Sequence, residues 1–577
     1  MTDVSQNTSA GASRDTVKPS PHVTHEVLNQ APPRVDVNEY TSNIPLTEAV
    51  AAFEGGWATD ELTEIGAYVG TAEYQHDAQL ANTITPVLHA LDRWGNRIDE
   101  VEYHPSYHRI IAESVKHGSH TRCWSDPQPG SHVVRAAAFS LFGQIEPGHA
   151  CPVSMTHAVI PSLELQPDLA AEWVPRALSR EYSPDLSAGP NQPAKSSALF
   201  GMSMTEKQGG SDVRANTTIA VPAGRGGPGA EYLLTGHKWF CSAPMSDAFL
   251  VLAQAQGAAN GSGEGLSCFL LPRVLPDGTR NVFRIQRLKN KLGNKSNASS
   301  EIELDGTVAW MVGEPGRGVR TIIEMVSQTR LDCVLGSASG MRQAVAEALW
   351  HARHRAAFGA TLIDQPAMTS VLADLALESE AATMTAMRLA RAHDEDADDS
   401  EKAFRRLGTA VAKYWICKRG PHHAYEALEC LGGNGYTEDF PLAMRYREQP
   451  VMAVWEGSGN VIALDVLRAM SREPESIAAF DAEVNRARGA HPLLDRHLDG
   501  LHRTLGELAG LSPDQAQARA RRVTESMALA LEASTLVRYS PTAVSEAFIA
   551  ARLGDDRGAE YGTLPDGLDL TAILDRH

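Results

Sequence analysis

No stretch of this chain approaches the ~18 uninterrupted apolar residues that a bilayer-spanning helix needs, so no membrane partner is expected. The opening MTDVSQNTSAGASRDTVKPSP has no apolar core of the kind a secretory signal carries. It reads instead as the start of a polar, disordered tail over residues 1–40. Cysteine is sparse and scattered. The seven (123, 151, 241, 268, 333, 417, 430) are odd in number and never spaced CxxC, which argues against a disulfide framework and a zinc site and for a reducing cytosol. Positive charge is also short: the net charge of −19 excludes a generally basic nucleic-acid binder, while a local basic patch stays open. His422-His423 and His351/His354 stand without the Glu or Cys partners of a metal signature, and they read as surface or core histidines. There is no Walker A sequence. The one GxGxxG match, GRGGPG at 224–229, sits between two strand-like runs and reads as a hairpin loop.

What is present is a long chain with ordinary core material. At 577 residues it exceeds one compact core, and three or four domains or layers are expected. Residues 41–196 read as mainly helical, with turn chemistry at Trp94-Gly95-Asn96. Over 197–312 the texture changes to short runs such as TTIAVPA, EYLLTGHKWF, AFLVLAQ, SCFLLP, NVFRIQRL and EIELDGTVAWMV, which alternate in the period of a strand. Helical spacing returns over 313–470, with a stop at Gly432-Gly433. A further helical region covers 471–577, where Ser512-Pro513-Asp514 has the composition of a helix start. The fold class is α+β: a β domain set between helical ones, with the interdomain clefts that commonly take ligands.

Four segments carry candidate chemistry. In 201-GMSMTEKQGGSDVRANTT-218, the Thr205 and Ser211 hydroxyls and the backbone around Gly209-Gly210 suit a phosphate or a polar ring; a plain polar loop fits equally well. In 235-TGHKWFCSAPMSD-247, Trp239 and Phe240 suit either a flat ligand or the core. In 353-RHRAAFG-359, Arg353 and Arg355 complement a helix C-terminus and can also fork onto a pyrophosphate. In 454-VWEGSGN-460, Glu456 is either a base or a surface carboxylate beside a turn.

Taken together and in order, MTEKQGGSD, HKWF, RAAFG, ECLGGNGY and WEGSGN resemble the acyl-CoA dehydrogenase flavoprotein family. MTEKQGGSDV, GHKWF, LKNKLGNKSNAS, KRG and YREQPVMAVWEGSGNVIALDVLR resemble its AidB-type branch, linked to the adaptive response to DNA alkylation, over residues ~40–560. The resemblance implies an N-terminal helical domain, a central β domain, a C-terminal four-helix bundle and an extra helical domain. It further implies noncovalent FAD, a homotetramer, an acyl-CoA thioester as substrate and an electron-transfer flavoprotein as acceptor. The cofactor contacts it implies are Met204, Thr205, Gly210 and Ser211; Trp239, Phe240, Cys241 and Ser242; Arg355, toward a neighbouring subunit; and Val454, Gly457, Ser458, Gly459 and Asn460.

By the same resemblance Glu456 stands where many members carry the catalytic base. A carboxylate desolvated by a Trp and a flavin has the raised pKa that removing a weakly acidic α proton needs. Relatives that place the base before an Arg-Leu pair would have it at Thr329, which cannot serve. Cys241 stands where many members have a Thr whose hydroxyl lies near flavin N5, so hydride acceptance is expected to be poorly tuned. The alternative reading is a flavin-containing protein that binds duplex DNA through its last domain. That domain has twelve Arg and no Lys against seventeen carboxylates over 472–577, a net of −5 and a poor footprint for phosphate. Arg468, Arg503, Arg519 and Arg522 are its candidate contacts, with Arg521 expected to pair with Glu525 on a solvated helix face.

Overall fold

The computed structural model describes residues 24–186, 195–257, 265–556 and 558–577. Residues 24–177 form a helical layer with one β-hairpin, Val87–Leu91 against Arg97–Glu102, turning at the expected Trp94-Gly95. The tail expected up to residue 40 is corrected within the described residues. The amides of Asp36 and Glu39 donate to Gly70 and Gly66 carbonyls of helix Thr59–Val69 and its cap. Arg34 and Glu39 form a buried ion pair against it. A Cβ on Gly70 would lie 1.8 Å from the Val37 carbonyl oxygen, so the segment can seat only on glycine. Residues 1–23 of that expected tail lie outside the described residues.

The β domain closes on itself. Strand Ala248–Ala255 carries Phe200–Ser203 and then Ile219–Pro222 on one edge and Gly265–Pro272 on the other. Ile219–Pro222 pairs with Glu231–Ser242, which pairs with Ser299–Val312, which returns to Gly265–Pro272. Phe249 and Val251 face the barrel interior, while Leu250 and Leu252 face the helices. Burial on both faces explains why 248-AFLVLA-253 is continuously apolar. GRGGPG is the hairpin connection of Ile219–Pro222 and Glu231–Ser242, as expected. The strand Phe200–Ser203, inside a segment read as a loop, was not expected.

Helices Gly318–His354, Pro366–Arg391 and Asp399–Glu429, with Leu442–Met452 and Gly459–Arg472, form the bundle. Gly432 follows with φ +59, the left-handed value that stops a helix. The extension Pro474–Leu553 packs on the bundle through helix Pro513–Tyr539. That helix opens with a complete capping box: Gln515 N–H donates to the Ser512 hydroxyl, and the Gln515 side chain accepts from Ser512 N–H. His423 bonds the Leu375 carbonyl, but His422 pairs with Glu560, a partner the local sequence did not show. No helix among the described residues is long and apolar enough to cross a membrane.

Candidate active site

The site begins at a loop held in a costly conformation. Glu456 has φ +57, which a residue with a Cβ rarely adopts, and Gly457 follows at φ +108. Two cations pin this turn by its backbone. Arg330 Nε, on the long bundle helix, donates to the Glu456 carbonyl at 3.1 Å. The buried Lys413 Nζ donates to the Gly457 carbonyl at 2.5 Å. Asp465 accepts from Arg330 at 2.8 Å and so fixes its guanidinium. Trp455, packed on two apolar clusters, anchors the residue before.

The result is a carboxyl turned inward. Its Oε2 atom is buried with no protein partner. Burial raises the Glu456 pKa above the usual carboxylate range, while the Thr329 hydroxyl, Arg330 and Lys413 oppose the shift without cancelling it. Thr329 therefore faces the same carboxyl. The two base positions distinguished in the sequence converge on one place, and only one of them carries an acid.

Across from the loop lie Glu231–Ser242 and the segment entering the barrel. Trp239 N–H donates to the Thr205 carbonyl at 2.8 Å, and Asn216 Nδ2 donates to the Met204 carbonyl at 2.9 Å. Strand and loop are thus one surface. A Cβ on Gly210 would meet the Thr205 hydroxyl at 2.6 Å, so this turn is close-packed against the Thr. Gly210 and Ser211 are exposed, as is the Phe240 ring at 47%. Lys289 Nζ lies 3.1 Å over the Trp239 ring. Cys241 departs from the expectation: it is fully buried, with Ser203 beside its thiol, and the side chain belongs to the barrel core.

Between the two surfaces the predicted Ser242 meets polar residues that sequence reasoning missed. Cys151, Asn297, Ser299 and Lys291 gather around it. Lys291 Nζ donates to the Asn297 carbonyl at 2.5 Å and to the Ser299 hydroxyl at 3.0 Å, and the Ser242 and Ser299 hydroxyls are 3.0 Å apart. The Cys151 thiol faces Ser242 and Asn297 and lies within the field of Glu456. Burial pushes that thiol up to about 11 and holds Lys291 down at about 8. Both polar atoms of the Asn297 amide are buried without a protein partner, as is the Trp455 indole N–H. The loop bearing Lys291 and Asn297 is wedged between domains: Ser296 donates to Glu146 at 2.6 Å and Asn294 N–H to Glu448 at 2.7 Å. The signal was the run of Asn and Ser at 294–300, more polar than a barrel strand needs.

The remaining predicted residues spread outward. Ser458 is the N-cap residue of helix Gly459–Arg472 but spends no hydroxyl on capping it. A Cβ on Gly459 would lie 3.0 Å from Lys418 Nζ and 3.6 Å from the Arg521 guanidinium, so this helix start is a positive corner. Asn460 Oδ1 accepts from Arg521 Nε at 2.7 Å, which corrects the expected Arg521–Glu525 pair. Val454 is 64% exposed. Arg355 lies apart from the site, donating to the Asn29 carbonyl at 2.8 Å, beside an exposed turn with Phe358 at its tip. Of the candidate DNA contacts, Arg468 pairs with Asp465 and Arg519 with Glu507. Arg503 and Arg522 line a cavity of about 360 Å³ with Arg496.

A closed β-barrel between helical domains, with an inward carboxyl at its junction with a bundle, is an architecture that comparison with known proteins identifies. The chain matches the adaptive response protein AidB N-terminal domain at 29–184 and the acyl-CoA dehydrogenase middle and C-terminal domains at 201–307 and 316–471. The chain belongs to the acyl-CoA dehydrogenase family, oxidoreductases acting on CH–CH donors, and to its AidB branch. AidB of Escherichia coli is 41% identical over 537 residues, 93% of this chain and 95% of that one. The crystal structure of Caenorhabditis elegans ACDH-11 in complex with C11-CoA superposes with TM-score 0.83 at 27% identity, covering 92% of this chain and 93% of that one. An acyl-CoA dehydrogenase from Bacillus anthracis complexed with FAD shares the fold, with TM-score 0.60 at 16% identity over 77% of each chain.

FAD is the cofactor of this family, and the residues fit it. Unpartnered buried donors and acceptors at Asn297 and Trp455, aromatic faces at Trp239 and Phe240, and the positive corner at Gly459 suit a flat polar ring bearing a pyrophosphate.

Proposed function

We propose that this chain is an FAD-dependent α,β-dehydrogenase of a short or branched acyl-CoA thioester, with Glu456 as the base. The observation that carries this reading is the half-buried Glu456, whose Oε2 atom is enclosed and unpartnered, on a strained turn pinned by Arg330 and Lys413. Such a carboxyl is a stronger base than one in water, and its position is fixed before substrate arrives. Glu456 takes the α proton. Arg330 and Lys413 hold the turn while the carboxyl passes between charged and neutral. The Asn297 amide orients a polar ligand, and Trp455 excludes water from the base. Thr205, Ser211, Trp239, Ser242 and the 454–460 turn would hold FAD, which would supply a two-electron acceptor for the β hydrogen.

The acceptor we assign downstream is an electron-transfer flavoprotein. The assembly we assign is a cytosolic homotetramer, with the Arg355–Phe358 turn meeting a neighbouring subunit. The test is anaerobic: the yellow protein is mixed with a panel of acyl-CoAs while flavin bleaching is followed. Bleaching in the wild type that disappears in Glu456→Gln supports the reading; no bleaching with any thioester sinks it.

A second reading, duplex DNA binding by the extension in an alkylation response, is favoured by one observation. Arg496, Arg503 and Arg522 converge on one cavity. The net charge of −5 over 472–577, the Glu507 carboxylate lining the same cavity and the paired state of Arg468, Arg496 and Arg519 weigh against it. Duplex binding that weakens steeply with salt and is lost in Arg503→Ala/Arg522→Ala is what it requires.

A further inference from the structure

Three metal-type donors that lie far apart in sequence meet inside the N-terminal helical domain. Cys123, His132 and His157 place one donor atom each within 4.8 Å of one another. All three are at most 2% exposed. The scaffold that brings them together is specific. His132 lies in the first turn of helix Ser131–Ile145, whose start is held by Asp394 accepting from Gly130 and His132 N–H at 2.9 and 2.7 Å. His157 lies at the end of helix Ala150–Ala158. The Trp124 indole stacks on the His157 ring and stands edge-on to that of His132, closing one side. His393, at the end of helix Pro366–Arg391, brings its ring within 6.0 Å of His132.

His157 is partnered at both ring nitrogens, by Cys123, Trp124 and His120 at Nδ1 and by Gln328 at Nε2, and the unsatisfied rings are those of His132 and His393. His132 Nε2 is buried with no partner, and so is His393 Nε2. A buried polar atom left unpaired costs about 1–3 kcal/mol, and leucine or phenylalanine would fill the same space without that cost. The nearby Arg135 charge is answered by Asp332, which it grips with both guanidinium nitrogens.

We propose that Cys123, His132 and His157 bind a zinc-like divalent transition-metal ion at a structural site. One soft sulfur with imidazoles selects this class over calcium or magnesium, which take oxygen. The Cys123 sulfur is 3.8 Å from His157 Nδ1, a separation two ligands of one tetrahedral ion can hold. That nitrogen faces the His120 carbonyl at 3.1 Å and the Trp124 N–H at 2.9 Å. The indole has the His157 carbonyl as a second acceptor at 3.0 Å, so it can release the ring nitrogen. On binding, the ion enters, the Cys123 thiol loses one proton to solvent, and the imidazoles stay neutral. The ion ties together three helices of the N-terminal domain, Arg122–Ser125, Ser131–Ile145 and Ala150–Ala158. Because the donors are buried, it loads as the chain folds. The expectation of no metal rested on CxxC spacing, and helices that cross in space do not write their meetings into spacing.

The test uses tag-free, full-length protein from cells grown in defined medium with either zinc or cobalt. The expected result is about one ion per chain that survives gel filtration. The cobalt form should show the intense ligand-field bands of a tetrahedral thiolate site, to the red of flavin absorption. Cys123→Ala and His132→Phe should lose both the bands and the ion. His132→Phe keeps a ring of similar size in the core, so it serves if Cys123→Ala fails to fold. Wild-type protein that retains neither metal, or variants whose metal content equals wild type, would overturn the proposal.

Discussion

Glu378, buried in the helical bundle, and Glu456, half-buried at its edge with one oxygen enclosed, are both desolvated carboxyls, yet their surroundings push them in opposite directions. Glu378 is gripped by two guanidinium groups, Arg419 at 3.0 and 3.1 Å and Arg552 at 2.9 and 3.2 Å, and these hold it ionised and well below the usual range against the pull of burial. Glu456 has cations nearby too, but Arg330 and Lys413 spend hydrogen bonds on the loop backbone rather than on the carboxyl. Its charge is therefore under-compensated and its pKa rises. The same chain uses arginine to fasten a domain in one place and to hold an acid ready in another. What separates the two is which atom the cation reaches. Glu532, beside Glu378, marks the boundary: its carboxyl accepts from the Trp415 indole at 3.0 Å, sits against a fixed negative charge, and is held neutral.

The comparison breaks most visibly at the base. Glu456→Gln should lower turnover with acyl-CoA by about 10²–10⁴-fold, the usual worth of a positioned base, while flavin absorbance of the purified protein is unchanged. A loss of flavin would instead assign Glu456 to cofactor retention. At the fastening site the damage should be to stability. Arg552→Met leaves Glu378 and Asp374 short of a buried partner and should cost about 3–5 kcal/mol in urea unfolding. Glu532→Gln, which replaces a neutral acid by a neutral amide, should change little by the same assay. Equal losses in the two variants would refute the assignment of charge.

The pH dependence separates the two regions by sign. Glu378 is lowered on folding, so its contribution is complete above the unfolded carboxylate range and is lost as pH falls toward its folded value. Glu456 is raised, so folding favours its protonated form, and stability is lost as pH rises from the unfolded value through the folded one. The stability of Glu456→Gln relative to wild type should therefore grow over that rise and then level off. The wild-type turnover should climb over the same window as the base ionises. A difference that stays flat with pH would mean that Glu456 is not desolvated in solution.

The order of domains was legible because strand and helix periods differ plainly, and each of the six strand-like runs named in the sequence became a strand. The helix start at Ser512 was legible because a capping box is local chemistry. Phe200–Ser203 was not, since a four-residue strand beside a Gly-rich turn leaves no alternation to read. Resemblance of motifs pointed to Glu456, but its unpartnered oxygen and pinned backbone depend on Arg330, 126 residues away. Cys241 failed because a strand position does not reveal which face meets the barrel core. Lys291, Asn297 and Cys151 were missed because they meet only where three domains converge.

The smallest expected effect tests whether the two regions communicate. Arg521 belongs to the extension, and its hydrogen bond to Asn460 joins that domain to the turn carrying the base. The contact is exposed, so its loss in Arg521→Ala should be worth only about 1 kcal/mol. That corresponds to less than tenfold in flavin affinity, read by recovery of flavin fluorescence on dilution. Because Arg521 also flanks the positive corner at Gly459, Arg521→Lys separates the two roles. Lysine keeps the charge but lacks the planar fork that reaches Asn460. If lysine restores affinity, charge at the helix start is what matters. If it does not, the fixed geometry of the turn matters, and the extension is part of how the base is held in place.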